Sequence, residues 1–268
     1  SASANPIFKM PLLGGANVFE DDFSAGQNVA HFPGMLMAGF CMDGANIGTK
    51  GFDFGVLAWS KFERLVFANF TDVAIHSKGM LICDFNDIHI FKCANGVRAD
   101  KGTHNAATYD ANLVTFQNCR MNYIPGICID WNSGSALQLI GLDAELCGTN
   151  GNNNTGVVKY STFPWSIGEL RGVSFERCWA ERNTGGFYFQ NNTSAVCSIR
   201  DSVINGSGLI GVHNNQTNGR ILIDNSHVRG YSTCVKTESG AKTLVTGFNE
   251  IDNHIEAGTG TYKVASFT

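Results

Sequence analysis

Three carboxylates and one indole make the strongest chemical pattern in this 268-residue chain. Asp143 and Glu145 stand two residues apart in GLDAEL, and Trp179 and Glu181 stand two apart in RCWAER. Paired carboxylates are what glycoside hydrolysis needs. One protonates the leaving oxygen, and the other activates water or attacks the anomeric carbon. Retaining enzymes hold the two carboxyls about 5–5.5 Å apart and inverting ones about 6.5–9.5 Å. An exposed indole beside them offers an apolar plane to a sugar ring. The plainer account is a solvated acidic face neutralised by Arg120 or Arg177, with the Trp covered by a neighbouring subunit.

Whether these residues meet depends on the elements that carry them. Charged residues are 16 % of the chain, well below the usual ~25 %, while Gly numbers 31 and Asn is abundant. Few charges with much Gly and Asn point to many short strands joined by tight turns, because both residues tolerate positive φ. The strings LVTFQNCRMN, GVSFERCWAE and CSIRDSVIN share one rhythm: an apolar residue, another two later, and a small or apolar one three after that. The rhythm runs through Phe67, Ile90, Phe116, Leu139, Phe175, Ile199 and Ile223, lengthened between Leu139 and Phe175 by an insertion containing GTNGNNNTG. A second alternating string follows in most copies, as in Ile127–Ile129, Phe187–Phe189 and Ile210–Val212. Coils of about 24 residues with this alternation predict an all-β chain, a right-handed single-stranded parallel β-helix. Residues 1–50 keep the register poorly and read as an N-terminal cap; residues 51–268 read as the helix itself. Cys93, Cys119 and Cys178 are expected to stack as one column of small core residues.

Side chains alternate across a strand. The residues four and six places after each central apolar residue should therefore face solvent as two columns. One column holds Arg120, Asp143, Trp179, Val203 and His227; the other holds Asn122, Glu145, Glu181, Asn205 and Arg229. Glu145 and Glu181 become direct neighbours on adjacent coils, and Asp143 lies diagonal to Glu181. The proposed catalytic set is Glu145, Glu181 and Asp143. Trp179 would stack on a sugar, while Arg120, Asn122, Asn205, His227 and Arg229 would hold hydroxyls or acidic groups. The insertion, with Tyr160, Phe163 and Trp165, is placed to wall the groove. Asp130–Trp131 is a weaker second pair. His76, His89, His104 and His213 show no paired spacing and read as surface or locally hydrogen-bonded residues.

Other classes are disfavoured. The net charge is −4 with no basic block, which argues against nucleic acid, whose phosphates require clustered Lys and Arg. No apolar run is long enough to span a membrane, and the start SASANP lacks a signal-peptide pattern. Nine Cys without CxxC spacing argue for reduced, buried thiols rather than a disulfide framework or zinc. Neither a metal nor a cofactor is expected.

MAGFCMDGANIGTKGFDFG, SKFERLVFANF, VTFQNCRMNYIPGICI and VSFERCWAERNTGGFYF together resemble the pectate-lyase-like parallel β-helix of bacteriophage tailspikes and capsular polysaccharide depolymerases. The likeness covers roughly residues 35–260. It implies a homotrimer on the phage virion tail, made in the host cytoplasm, that binds and cleaves bacterial surface polysaccharide. These enzymes share no catalytic motif to carry over. The chain is short for a full spike and reads as a central fragment or a smaller relative. Three functions stay open: an endo-glycosidase using two of the three acids; a lyase acting on uronate-containing glycan through Arg120, His227 or Tyr123; and a glycan-binding spike without catalysis.

Overall fold

The computed structural model describes residues 31–104, 107–132, 134–148, 158–162, 173–191, 196–216, 219–238, 240–256 and 260–265, together with the two-residue strands Ile7–Phe8 and Phe19–Glu20. No helix occurs among these residues. Parallel strands stack as a β-solenoid of about 8 turns, with coils roughly 23 residues apart.

A full coil has three strands. Ile210–Gln216, Arg220–Asp224 and His227–Arg229 follow one another. Each pairs parallel with its counterpart one coil on: Thr233–Thr237, Lys242–Thr246 and Glu250–Ile251 respectively. The three resulting sheets are named here the histidine face, the central face and the acid face. Within the expected cap segment, Leu36–Ala38 and Cys41–Asp43 already pair parallel with residues 61–68. A short antiparallel hairpin, Gly102–His104 with Ala107–Tyr109, interrupts the third coil.

Inward residues of the central face form an apolar ladder. Phe62, Phe85, Phe116, Leu139, Phe175, Ile199, Ile223 and Val245 are register partners in turn. The first three rings stack, with centroids 4.7 and 4.6 Å apart and planes within 7° and 10°. A solenoid imposes this, because identical positions recur at the strand spacing and flat rings can fill it.

The bend between central and acid faces explains the Asn, Asp and Gly content. Arg64, Asp87, Asn118, Gly141, Arg177, Asp201, Asn225 and Gly247 occupy it, all with positive φ. Asn, Asp and Gly accept that region most readily. Just past the bend the column runs Cys119, Leu142, Cys178, Ser202 and Ser226, and each of their carbonyls accepts a backbone N–H from the next coil: Asp143, Trp179, Val203, His227 and Glu250 in turn.

The apolar rhythm was expected to place Ile90 and Cys93 in line with Phe116 and Cys119. The structure sets the first coils in the other phase. Phe116 lies on Phe85, and Ile90 pairs with Phe67 and Met121. Cys93 therefore stands outside the column of Cys119 and Cys178. Each coil carries two similar alternating strings on either side of the bend, so one apolar pattern fits both phases. The hairpin at 102–109 then hides the change of step.

Candidate functional site

The acid face carries both expected columns. Arg120 faces Asp143 and Asn122 faces Glu145 across one coil. Asp143 faces Trp179 and Glu145 faces Glu181 across the next. Trp179 faces Val203, Val203 faces His227, and Asn205 faces Arg229. Between them Met121, Ala144, Ala180, Ile204 and Val228 point inward and are buried. Trp179 is 49 % exposed, and its Nε1–H donates to Glu181 Oε2 at 3.1 Å.

The register breaks just past Glu181. Ala180 pairs with Ile204 but Asn183 pairs with Gly206, so Glu181 and Arg182 together oppose Asn205. This bulge gives Arg182 a φ of 57°. Bulges turn side chains away from the direction a regular ladder would give them. Buried Asn183 holds the bulge in place: its Nδ2 donates to Ala144 O, and its Oδ1 accepts from Cys147 N. The Arg182 side chain lies over the preceding coil. Its Nη1 is 3.1 Å from Glu145 Oε1, and its Nε is 3.8 Å from Glu181 Oε1. The cation beside the two stacked acids is thus Arg182, whereas Arg120 or Arg177 had been expected. Arg120 lies 4.0 Å from Asp143.

The remaining expected binding residues are spread along the face. His227 Nδ1 and Arg229 Nη1 both meet Glu250, at 2.9 and 3.4 Å, so these two serve a third acid. Val203, placed in the solvent-facing column, is half-buried. Trp165 and Phe163 lie outside the described residues. Tyr160 belongs to Val158–Thr162, which pairs with Ile129–Trp131 and Phe187–Asn191 on the histidine face; it does not wall the acid face. The Asp130–Trp131 pair is also displaced, because Trp131 is wholly buried in the core and Asp130 is nearly so.

A second cluster went unread in the sequence. Asp53, His76, Arg98 and Asp130 form one outward column on the histidine face. His76, expected as a surface or locally hydrogen-bonded residue, is 7 % exposed and takes the second role. Its Nδ1 meets Asp53 Oδ1 at 2.5 Å and its Nε2 meets Asp100 Oδ2 at 3.0 Å. A carboxylate on each ring nitrogen favours the imidazolium form, in which both nitrogens donate, while Lys50 Nζ lies 3.3 Å from Nδ1. Lys50 Nζ reaches Asp53 Oδ2 at 2.8 Å, Asn132 donates to Asp100 Oδ1 at 2.9 Å, and Arg98 lies 3.5 Å from both Asp72 and Asp130. Burial alone would push the His76 pKa down, but the hydrogen bonds to Asp100 and Asp53 outweigh it and raise the value. Burial would raise Asp53 and Asp100, but His76 with Lys50, and His76 with Asn132, hold them below the usual carboxylate range. The spacing of 53, 76 and 100 at about one coil was the available signal. It becomes visible only once the histidine-face strand of each coil is aligned.

The two clusters are suited to different work. The histidine-face cluster is tightly paired and closed to a polymer, so it fastens three successive coils together. The acid-face cluster is open, runs along the solenoid axis, and combines an aromatic plane with carboxylates and guanidinium groups. Among the described residues no group of His, Cys, Asp and Glu is arranged to hold a metal ion. Searches of protein-family models, curated proteins and solved structures returned no match to this chain.

Proposed function

We propose that the chain binds an extended bacterial surface polysaccharide along the acid face and cleaves it as an endo-glycosidase, with Glu145 and Glu181 as the carboxylate pair. The observation that carries this reading is the direct cross-coil register of Glu145 with Glu181, beside exposed Trp179. Adjacent strands are about 4.8 Å apart, which is nearer the separation used by retaining enzymes than that used by inverting ones. Trp179 would stack on a sugar while its indole N–H orients Glu181, and Arg120, beside Asp143, would hold substituents of the neighbouring sugar. The coil motifs that resemble tailspike depolymerases support the polymer class. They are also the ground for reading the chain as part of a homotrimeric spike acting at the bacterial surface.

The test is a reducing-end assay against a panel of capsular polysaccharides and lipopolysaccharides. Glu145→Gln and Glu181→Gln should each abolish release of reducing ends while leaving glycan binding intact. Full activity in both variants would overturn the assignment. A product absorbing in the near ultraviolet, from an unsaturated uronate, would replace hydrolysis with elimination.

One observation favours a second reading, binding without cleavage. Arg182 lies 3.1 Å from Glu145 and 3.8 Å from Glu181, so the guanidinium occupies oxygens of both carboxylates, whereas hydrolysis requires one of them to reach the glycosidic oxygen. Under this reading Trp179→Ala removes binding, and no glycan in the panel is cut.

A further inference from the structure

A concavity of about 580 Å³ lies on the central face of the last coils, around the bend from the acid face. Two adjacent columns line it. Val196, Arg220, Lys242 and Thr261 are register partners in one, and Leu222, Leu244 and Lys263 in the other. Its floor is aliphatic, from Leu222 and Leu244, with Val196 at one end. Its charged groups are Arg220, Lys242 and Lys263, all exposed.

This placement is unfavourable for the chain alone. Arg220 and Lys242 occupy directly opposed positions on neighbouring strands, about 4.8 Å apart, where like charges destabilise a sheet. Elsewhere on the solenoid, stacked charges find opposite partners, as Arg182 does with Glu145 and Arg98 with Asp130. Among the described residues no carboxylate forms an ion pair with Arg220, Lys242 or Lys263. Three cations in step with the coils, beside an aliphatic strip, call for a ligand with anionic groups at a similar repeat and apolar faces between them.

We infer that this groove is a second glycan-binding site, selective for acidic polysaccharide, which seats sugar C–H faces on Leu222 and Leu244 and carboxylates or other anionic substituents on Arg220, Lys242 and Lys263. The groove runs along the solenoid axis, and one strand step is close to the length of one pyranose in an extended chain. A nucleic acid fits less well, because among the described residues no aromatic side chain lines the groove to stack a base. The inference rests on the polysaccharide reading for the class of polymer. It does not depend on the acid-face chemistry.

The probes are polygalacturonate, its fully methyl-esterified form, dextran, and phosphatidylserine vesicles, with binding to the whole chain followed by calorimetry at low and high salt. Polygalacturonate should bind, and the esterified polymer and dextran should bind at least tenfold more weakly. High salt should erase the difference, because exposed charges are screened. The triple variant Arg220→Gln, Lys242→Gln, Lys263→Gln should lose at least tenfold in polygalacturonate affinity while its thermal midpoint stays within a few degrees of wild type. The conservative triple variant Arg220→Lys, Lys242→Arg, Lys263→Arg should keep the affinity. Equal affinity for charged and esterified polymer, undiminished binding by the triple variant, no polygalacturonate binding, or tighter binding to the vesicles would each overturn the inference. Glu145→Gln and Glu181→Gln separate the two proposals. If these variants keep full activity while the groove retains polygalacturonate, the cleavage assignment fails and the groove stands. If cleavage is lost in them and the triple variant binds undiminished, the groove fails and the cleavage assignment stands.

Discussion

Arg182 reaches back one coil to Glu145, placing its Nη1 3.1 Å from Oε1, and it can do so because the strand bulges beside Glu181. A regular ladder would have turned residue 182 inward, as it turns Ala180. The bulge therefore delivers a cation to the acid pair that neither neighbouring strand supplies at that position.

Replacing Arg182 with Met should accordingly affect function more than stability. The Arg182 side chain is 65 % exposed, and exposed ion pairs contribute only about 0.2–1 kcal/mol. The chemical-denaturation midpoint should move little, while binding or cleavage of the responsive glycan falls at least tenfold. Unchanged glycan handling in Arg182→Met would show that the bridge is a surface ion pair with no part in the site.

His76 invites the opposite expectation. Its side chain is 8 % exposed and lies between two carboxylates. Removing one partner of a buried pair costs about 3–5 kcal/mol. His76→Gln should lower unfolding free energy by about 3 kcal/mol near pH 6, the lower figure applying because Lys50 still serves Asp53. The pH dependence follows from the signs. The folded His76 value is raised, so its contribution is full below the unfolded value near 6.5 and is lost as pH rises through the folded value. Asp53 and Asp100 are lowered, so theirs is full above about 3.9 and is lost as pH falls through their folded values. The gap between wild type and His76→Gln should thus be widest between about pH 4 and 6.5 and shrink on both sides. Urea titrations across pH would measure it, and a gap independent of pH would refute the ion-paired assignment.

The solenoid was legible because period-2 alternation repeated on a nearly constant step, and the acid-face columns were legible because alternation fixes which side of a strand each residue takes. Glu145 opposite Glu181 needed nothing more. Arg182 was not legible, since a bulge is one extra residue and leaves no mark in an apolar pattern. The Asp53–His76–Asp100 cluster stayed hidden for another reason. Its members stand on or beside the histidine-face strands of the first coils, where the structure sets the repeat in a different phase from the apolar rhythm. Trp131 shows the same limit: next to Asp130 it resembled an exposed pair, but the alternation of that strand turns the ring into the core.

The nine cysteines offer a direct measure of how complete that core is. All are free, and eight are buried; only Cys41 is partly accessible. Burial pushes the thiols up, to about 11 for Cys83 and about 12 for Cys93, Cys119, Cys178 and Cys197. Thiolate is the reactive form. A disulfide-exchange reagent at pH 8 should therefore modify Cys41 alone in the native protein, slowly because burial raises that thiol too. The other eight should react only on unfolding. Rapid modification of several thiols under native conditions would mean that the coils open far more readily than the packing implies.

A ladder of side-chain hydrogen bonds closes the last coils beside the bend, and it sets the final prediction. Cys178 N–H donates to Ser202 Oγ at 3.1 Å, Ser202 N–H to Ser226 Oγ at 3.2 Å, and Ser226 N–H to Asn249 Oδ1 at 2.9 Å. Each hydroxyl also donates to a carbonyl two residues back in its own chain, Arg200 O and Asp224 O. Ser202 and Ser226 are buried, so water cannot replace them. Ser202→Ala should strand the Cys178 amide and cost about 1–3 kcal/mol, the penalty for a buried donor left without a partner. Ser202→Cys, with a weaker acceptor of similar shape, should recover part of it, because Cys already fills the equivalent place at 119 and 178. Amide exchange at Cys178 would separate the two effects: faster exchange in Ser202→Ala than in Ser202→Cys is the expected order, and equal rates would show that the hydroxyl contributes packing alone.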